Sequence, residues 1–116
     1  MINTPKMKFK KGDIVVIPVP FTDNKTTKKR PAVVISNDDA HAIGDVVIVQ
    51  ITSQLRNDNL NFPLDTADTT IALPKMSYIR VHKIFVLEEK LIEKKVSALK
   101  TETYSRLISA INNVIS

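Results

Sequence analysis

Four polar residues stand at or next to the ends of apolar segments, where a rigid scaffold can present side chains to a cleft: Arg30, Thr52, Arg80 and His82. Arg80 and His82 are two residues apart on a predicted strand, so their side chains emerge on the same face. This pairing places a permanent cation beside a side chain that titrates near neutral pH. Taken singly, each residue is also explained as a surface charge or a strand-edge residue, and only the combination favours a reactive site.

Arg30 lies where a polar, basic loop meets an apolar strand. Residues 22–29 contain no apolar side chain and predict a solvated loop, whereas residues 32–35 are apolar and mostly β-branched and predict a strand. Pro31 suits the first position of a strand because it has no backbone donor. The strand can therefore hold Arg30 while its side chain points into a cleft.

The strands that must position these residues are apolar on both faces. Residues 14–19, 32–35 and 46–51 lack the alternation of apolar and polar residues that a strand with one solvated face shows. One face can line a core while a helix or a second copy of the protein covers the other, so we expect a homodimer. Further strands are predicted at residues 62–65, 70–73, 76–87 and 96–99.

The end of the chain has a helical pattern. Apolar residues at 104, 107, 108, 111, 114 and 115 form one face of a helix, Thr101 is a suitable N-cap, and Glu102 places a negative charge in the first turn. We predict a mainly β (α+β) fold, a small barrel or strongly bent sheet of about six to seven strands with a C-terminal amphipathic helix packed across it. We expect one domain over residues 1–116, with a polar lead-in at 1–9 and the helix at 101–115.

Composition limits the possible functions. The chain has 116 residues, no cysteine, only two glycines and a formal net charge of +5. Thiol chemistry, disulfides and glycine-rich phosphate loops are therefore excluded, and polyanions are the expected partners, either nucleic acid or an acidic protein segment. His41 and His82 are far apart without carboxylates at ligand spacing, so we expect neither a metal nor a cofactor, and His41 is interpreted as a surface residue. No signal peptide or membrane span is recognisable, which predicts a soluble, cytoplasmic protein that does not bind membranes.

Several motifs, in order and spacing, resemble the MazF/PemK family over about residues 9–116. They are Gly12-Asp13-Ile14-Val15, Pro20-Phe21-Thr22-Asp23, Lys29-Arg30-Pro31-Ala32-Val33-Val34-Ile35-Ser36, Ile51-Thr52-Ser53-Gln54 and Ser77-Tyr78-Ile79-Arg80-Val81-His82-Lys83. The resemblance implies an SH3-like barrel that forms homodimers, and a toxin of a toxin–antitoxin pair that cleaves single-stranded RNA without a metal. It also implies that Arg30 and Thr52 match the active-site arginine and threonine, and that Arg80 matches a second arginine.

Two segments differ from the pattern of many relatives. Residues 23–29 read Asp-Asn-Lys-Thr-Thr-Lys-Lys where relatives carry Gly-x-Glu-Gln, and His82 stands where an aspartate is common. An imidazole can transfer the same proton, so His82 is the expected general base or acid. Arg30 and Arg80 are expected to bind the scissile phosphate, and Thr52 to bind a phosphate oxygen or assist proton transfer.

The walls of an RNA groove are predicted from basic and amide side chains, which track phosphates and read base edges. These residues are Lys25, Lys28, Lys29, Ser53, Gln54, Arg56, Asn57 and Asn59. Two other interpretations share this surface. One is a barrel that binds nucleic acid or poisons a gyrase without catalysis, and the other is a dock for an antitoxin with an acidic or disordered segment.

Overall fold

The structure, a computed structural model, describes residues 8–20 and 26–116. Within these residues the chain forms six strands, β1 (Asp13–Pro20), β2 (Thr27–Val34), β3 (Asp45–Thr52), β4 (Asn61–Leu64), β5 (Ser77–Glu88) and β6 (Lys94–Ala98). The helices are α1 (Asp38–Ala42) and α2 (Thr101–Ile115), with two short 3-10 helices at Thr66–Asp68 and Glu89–Leu91. No helix in this part of the chain combines the length and apolar character needed to span a membrane.

The six strands form one antiparallel sheet in the order β4-β5-β3-β2-β1-β6. The prediction of a mainly β fold with a C-terminal helix is confirmed. Among the described strands, β4 and β6 are not paired with each other, so the sheet is not hydrogen-bonded into a closed ring and is a barrel only in a loose sense.

Two apolar clusters explain why the central strands are apolar on both faces. The first is packed beneath α2, which contributes Leu107 and Ile111. The second lies on the other face of the sheet, where the segments carrying Phe9 and Ile92 help to bury it. The apolar runs are therefore buried within a single chain, and the expected homodimer stays a prediction.

Helix α2 is tied to the 3-10 helix Thr66–Asp68 by one carboxylate. Asp68 Oδ1 accepts hydrogen bonds from Thr103 Oγ1 and Arg106 Nη2, both at 3.0 Å. Burial acts to raise the pKa of Asp68, but the hydrogen bonds from the Asp65 backbone and Thr103, together with the Arg106 charge, outweigh it and lower that pKa. The predicted Thr101 N-cap is wrong, because the cap position is Lys100 and Thr101 is already helical. Glu102 does lie in the first turn, as predicted.

Two strand predictions are corrected by hydrogen bonding. Residues 27–29 belong to β2, because the chain pairs with β1 as far as Pro20 opposite Thr27, so the predicted solvated loop is shorter. No strand forms at residues 70–73. There, the Ser97 hydroxyl accepts a hydrogen bond from the Ile71 N–H at 3.0 Å and donates one to the Ile71 carbonyl at 2.6 Å. These side-chain hydrogen bonds take the place of a strand ladder.

His41 is buried, so its interpretation as a surface residue is wrong. It lies in α1, a helix that the turn signal did not predict and whose N-cap, Asn37, accepts a hydrogen bond from the Asp39 N–H at 3.0 Å. His41 Nε2 lies 2.6 Å from Ser36 Oγ, which also accepts from the Val47 N–H at 3.0 Å. Ser36 Oγ thus links the His41 imidazole of α1 to the backbone near the start of β3.

Candidate active site

Arg30 and Thr52 lie at the same end of the paired strands β2 and β3. The ladder between these strands ends where Ala32 pairs with Gln50, so each of the two residues lies two positions beyond the last pair. Thr52 is paired with Tyr78 of β5. Arg30, Thr52 and Tyr78 are all half-buried.

The Arg30 guanidinium is available to a ligand. Among the described residues it makes no side-chain hydrogen bond and no ion pair. Its position on β2 opposite Ile17 of β1 fixes the backbone from which the side chain projects. A half-buried cation on a strand, with no counter-ion among the described residues, is suited to binding phosphate.

The Thr52 hydroxyl is oriented by the chain that follows it. Thr52 Oγ1 accepts a hydrogen bond from the Gln54 N–H at 3.1 Å. Because this bond occupies an acceptor position, the hydroxyl hydrogen is left to donate. Thr52 can therefore donate to an anionic oxygen beside Arg30.

Arg80 has partners that the sequence did not predict. Its Nη1 and Nη2 donate to Asp58 Oδ1 and Oδ2, both at 2.8 Å, and Nη1 also donates to Asn61 Oδ1 at 2.6 Å. Arg80 is 7% exposed, whereas the Asp58 side chain is 37% exposed. Its charge is therefore already balanced inside the fold, unlike that of Arg30.

The electrostatics of this pair follow from its geometry. The Arg80 hydrogen bonds lower the pKa of Asp58 far below its ordinary range, with a second contribution from the Leu60 N–H and a smaller one from the charge of His82. In return, the hydrogen bond to Asp58 raises the pKa of Arg80 despite burial. Both groups are thus fixed in their charged forms.

His82 is exposed two residues beyond Arg80 on β5. The pairing of β3 with β5 jumps from Val49–Ile84 to Ile51–Ile79, so residues 80–83 bulge opposite Gln50. The bulge separates this part of β5 from β3, and the His82 imidazole is exposed there. An exposed imidazole can exchange protons with solvent or with a bound substrate.

The predicted RNA-binding residues divide into three groups. Lys25 lies outside the described residues. Lys28 and Lys29 are exposed on β2 rather than in a loop, and Lys29 forms an ion pair with Glu93. Ser53, Gln54, Arg56, Asn57 and Asn59 are all exposed in the segment that joins β3 to β4, as predicted.

A cavity of about 340 Å³ lies beside Arg30. Its walls are mostly apolar and come from β1, β2, β3, β6 and the segment before β5, including Val16, Pro31, Leu73 and Pro74. Ser53 and Ser77 add hydroxyl groups. No cluster of three histidine or acidic side chains that could hold a metal occurs within residues 8–20 and 26–116.

Asp58 and Asn61 are the residues near the site that the sequence did not indicate. A signal was present, since Asp58 is the only carboxylate in the amide-rich segment 52–61. Nothing in the sequence, however, pairs it with an arginine 22 positions away.

These features define a class of protein: a small, bent antiparallel sheet with a C-terminal helix and a basic, hydroxyl-bearing site on the sheet surface. The model of the family described as "PemK-like, MazF-like toxin of type II toxin-antitoxin system" matches residues 10–115, and the chain belongs to this family. The family expected from the sequence motifs is thereby confirmed. Among curated proteins, none matches the chain significantly.

Solved structures with the same fold include the following three. An endoribonuclease in complex with its cognate antitoxin from a Mycobacterial species has a TM-score of 0.74 at 16% identity, covering 92% of this chain and 94% of that one. The MazE-MazF structure from Deinococcus radiodurans has a TM-score of 0.72 at 14% identity, covering 97% of both chains. The Mycobacterium tuberculosis toxin MazF-mt6 has a TM-score of 0.70 at 17% identity, covering 89% and 95%.

Proposed function

We propose that this toxin-family protein is an endoribonuclease that cleaves single-stranded RNA without a metal and leaves a 2′,3′-cyclic phosphate and a 5′-hydroxyl. The observation that carries the proposal is that Arg30, whose guanidinium has no partner among the described residues, lies at the same end of β2 and β3 as the Thr52 hydroxyl. Family membership supports a toxin, and proteins of similar structure include endoribonucleases.

The reaction uses a nucleophile that RNA itself carries. The 2′-oxygen attacks the neighbouring phosphorus as its proton is removed, the bond from phosphorus to the 5′-oxygen breaks, and that oxygen receives a proton. The phosphorane formed on the way carries extra negative charge. Donors that are already in position stabilise this charge without reorganisation.

Each role falls to a particular side chain. Arg30 binds the phosphate and stabilises its transition-state charge, and Thr52 donates its free hydroxyl hydrogen to a phosphate oxygen. His82 is the general base or acid, since its imidazole is exposed and can accept or donate a proton. Tyr78, half-buried beside Thr52, offers a ring for base stacking.

The test is incubation of the purified protein with a mixed-sequence RNA in EDTA, followed by analysis of the new ends. Arg30→Ala should lower kcat about 100- to 1,000-fold, the usual cost of removing one transition-state donor. Lys90→Ala is the matched control, because Lys90 is an exposed cation whose ion pair within the described residues is with Glu88, also on the surface.

Two outcomes contradict the proposal. RNA that stays intact but binds saturably would favour the non-catalytic binding module. A pH–rate profile without an inflection between about pH 5 and pH 8 would remove His82 from the mechanism.

An antitoxin is the second partner that we propose. Similar structures include an endoribonuclease bound to its cognate antitoxin and a MazE-MazF complex, and a net charge of +5 suits an acidic or disordered segment. A peptide of that kind lying over Arg30 would inhibit cleavage competitively. Sedimentation of the free protein tests the proposed homodimer, and a monomer at micromolar concentration would contradict it.

A further inference from the structure

We propose that Arg80, Asp58 and Asn61 are positioning residues that hold the β3–β4 loop, residues 53–60, as a preformed surface for reading RNA bases. The inference rests on the proposed function, because the RNA concerned is the substrate of that reaction. It gives Arg80 a role other than phosphate binding and assigns roles to Asp58 and Asn61, which the sequence did not indicate.

The first step is the position of the guanidinium. Arg80 belongs to the rigid strand β5, is 7% exposed, and directs both terminal nitrogens at Asp58 in the loop. Two parallel charge-assisted hydrogen bonds fix direction as well as distance. Arg80 on β5 therefore anchors the loop through Asp58, the single carboxylate of residues 53–60.

Asn61 completes the hold from the start of β4. Its Oδ1 accepts from Arg80 Nη1 at 2.6 Å, and its Nδ2 donates to the carbonyls of Arg56 at 2.7 Å and Asp58 at 3.2 Å. Asp58 Oδ1 also accepts from the Leu60 N–H at 2.9 Å. The side chains of Asp58 and Asn61, both hydrogen-bonded to Arg80, therefore also form hydrogen bonds with the loop backbone.

The groups that the loop presents are suited to bases. The side-chain amides of Gln54, Asn57 and Asn59 are exposed and make no hydrogen bonds within the described residues. Leu55, at 66% exposure, adds an apolar contact surface. Amides can read base edges, and a loop that is already ordered loses less conformational freedom on binding.

A phosphate on Arg80 would have to displace Asp58. That exchange breaks two bonds of 2.8 Å and leaves the loop without its anchor. Arg30, by contrast, has no partner among the described residues to displace. The two arginines therefore have different tasks.

The first experiment measures amide hydrogen exchange in the free protein, so it does not depend on activity. Protection of the amides of residues 54–61 should fall by at least about tenfold in Arg80→Lys and in Asp58→Asn, because each loses charge-assisted hydrogen bonds. Arg106→Lys is the control, since it alters an Arg–Asp contact on α2 instead. Unchanged protection in both loop variants would overturn the inference.

The second experiment measures cleavage kinetics and the sequences cut. A positioning role predicts a KM about tenfold higher and a broader choice of cleavage sites, with kcat changed less than about threefold, and no further loss in the double variant. If Asp58→Asn instead improves cleavage while Arg80→Lys lowers kcat, Arg80 binds phosphate and the inference is overturned.

Failure of the proposed function and failure of the proposed loop role give different results. If the wild-type protein binds RNA without cutting it, catalysis fails as a proposal, and weaker binding by the two loop variants still supports the loop's role. Binding equal to that of the wild type would overturn it. If the wild-type protein neither binds nor cuts RNA, both proposals fail.

Discussion

Arg80 and Asp58, 22 positions apart in the chain, form a bidentate ion pair in which both nitrogen–oxygen distances are 2.8 Å. A guanidinium that is 7% exposed is tolerated only with a compensating charge, because burial of an unpaired ion costs far more than a lost surface contact. The pair therefore links the stability of β5 to the conformation of the loop before β4.

Acid should weaken this link. The pKa of Asp58 is lower in the folded protein than its ordinary value of 3.8, so its contribution to stability is fully present above pH 3.8 and is lost as pH falls towards the folded pKa. The difference in unfolding free energy between wild type and Asp58→Asn should be constant near neutral pH and shrink below about pH 4. Urea unfolding at a series of pH values measures it, and a difference that persists unchanged to pH 3 would contradict it.

Two replacements of Thr52 should separate the effect of its hydroxyl group on activity from the effect of its side-chain shape. Thr52→Val removes both the donor to phosphate and the acceptor for the Gln54 N–H, and should lower kcat by about 10- to 100-fold, as expected for a hydrogen bond to a charged group. Thr52→Ser keeps the hydroxyl and should retain most activity. Equal losses in both variants would show that the hydroxyl does not act on the phosphate.

Ser36 should be important for stability and not for catalysis. Ser36→Ala leaves the Val47 N–H and His41 Nε2 without their partner, which should lower the unfolding free energy by about 1–3 kcal/mol. Ser105→Ala, at an exposed position of α2, is the control and should change it little. Denaturant unfolding measures both variants, and an equal effect would refute the proposed tie between α1 and β3.

The loss of stability on truncating an apolar side chain of α2 should depend strongly on how deeply that side chain is buried. Leu107 is fully buried in the cluster beneath the helix, so Leu107→Ala should destabilise the fold by about 2–5 kcal/mol. Ile115, which is 68% exposed, lies in the same apolar pattern, and Ile115→Ala should cost much less. Thermal unfolding of the two variants compares them directly, and similar losses would mean that α2 packs on another face.

Local patterns in the sequence determined most of the framework. Apolar, β-branched runs predicted β1, β2 and β3, and the helical spacing from Tyr104 onward predicted α2. Both signals depend on neighbours within a few residues, because strand and helix periodicity are local properties. The motif around Arg30 and the Thr52 segment also pointed to two residues that lie at the same end of the paired strands β2 and β3.

Only the tertiary structure decided which of these residues are free to act. The sequence gives Arg30 and Arg80 the same charge, but the fold leaves Arg30 without a partner among the described residues and pairs Arg80 with Asp58 and Asn61. His41 was likewise placed in the interior by Ser36 and β3. Partners separated by many residues meet only when the strands adopt their register, and that register is set by burying the apolar residues of both faces of the sheet.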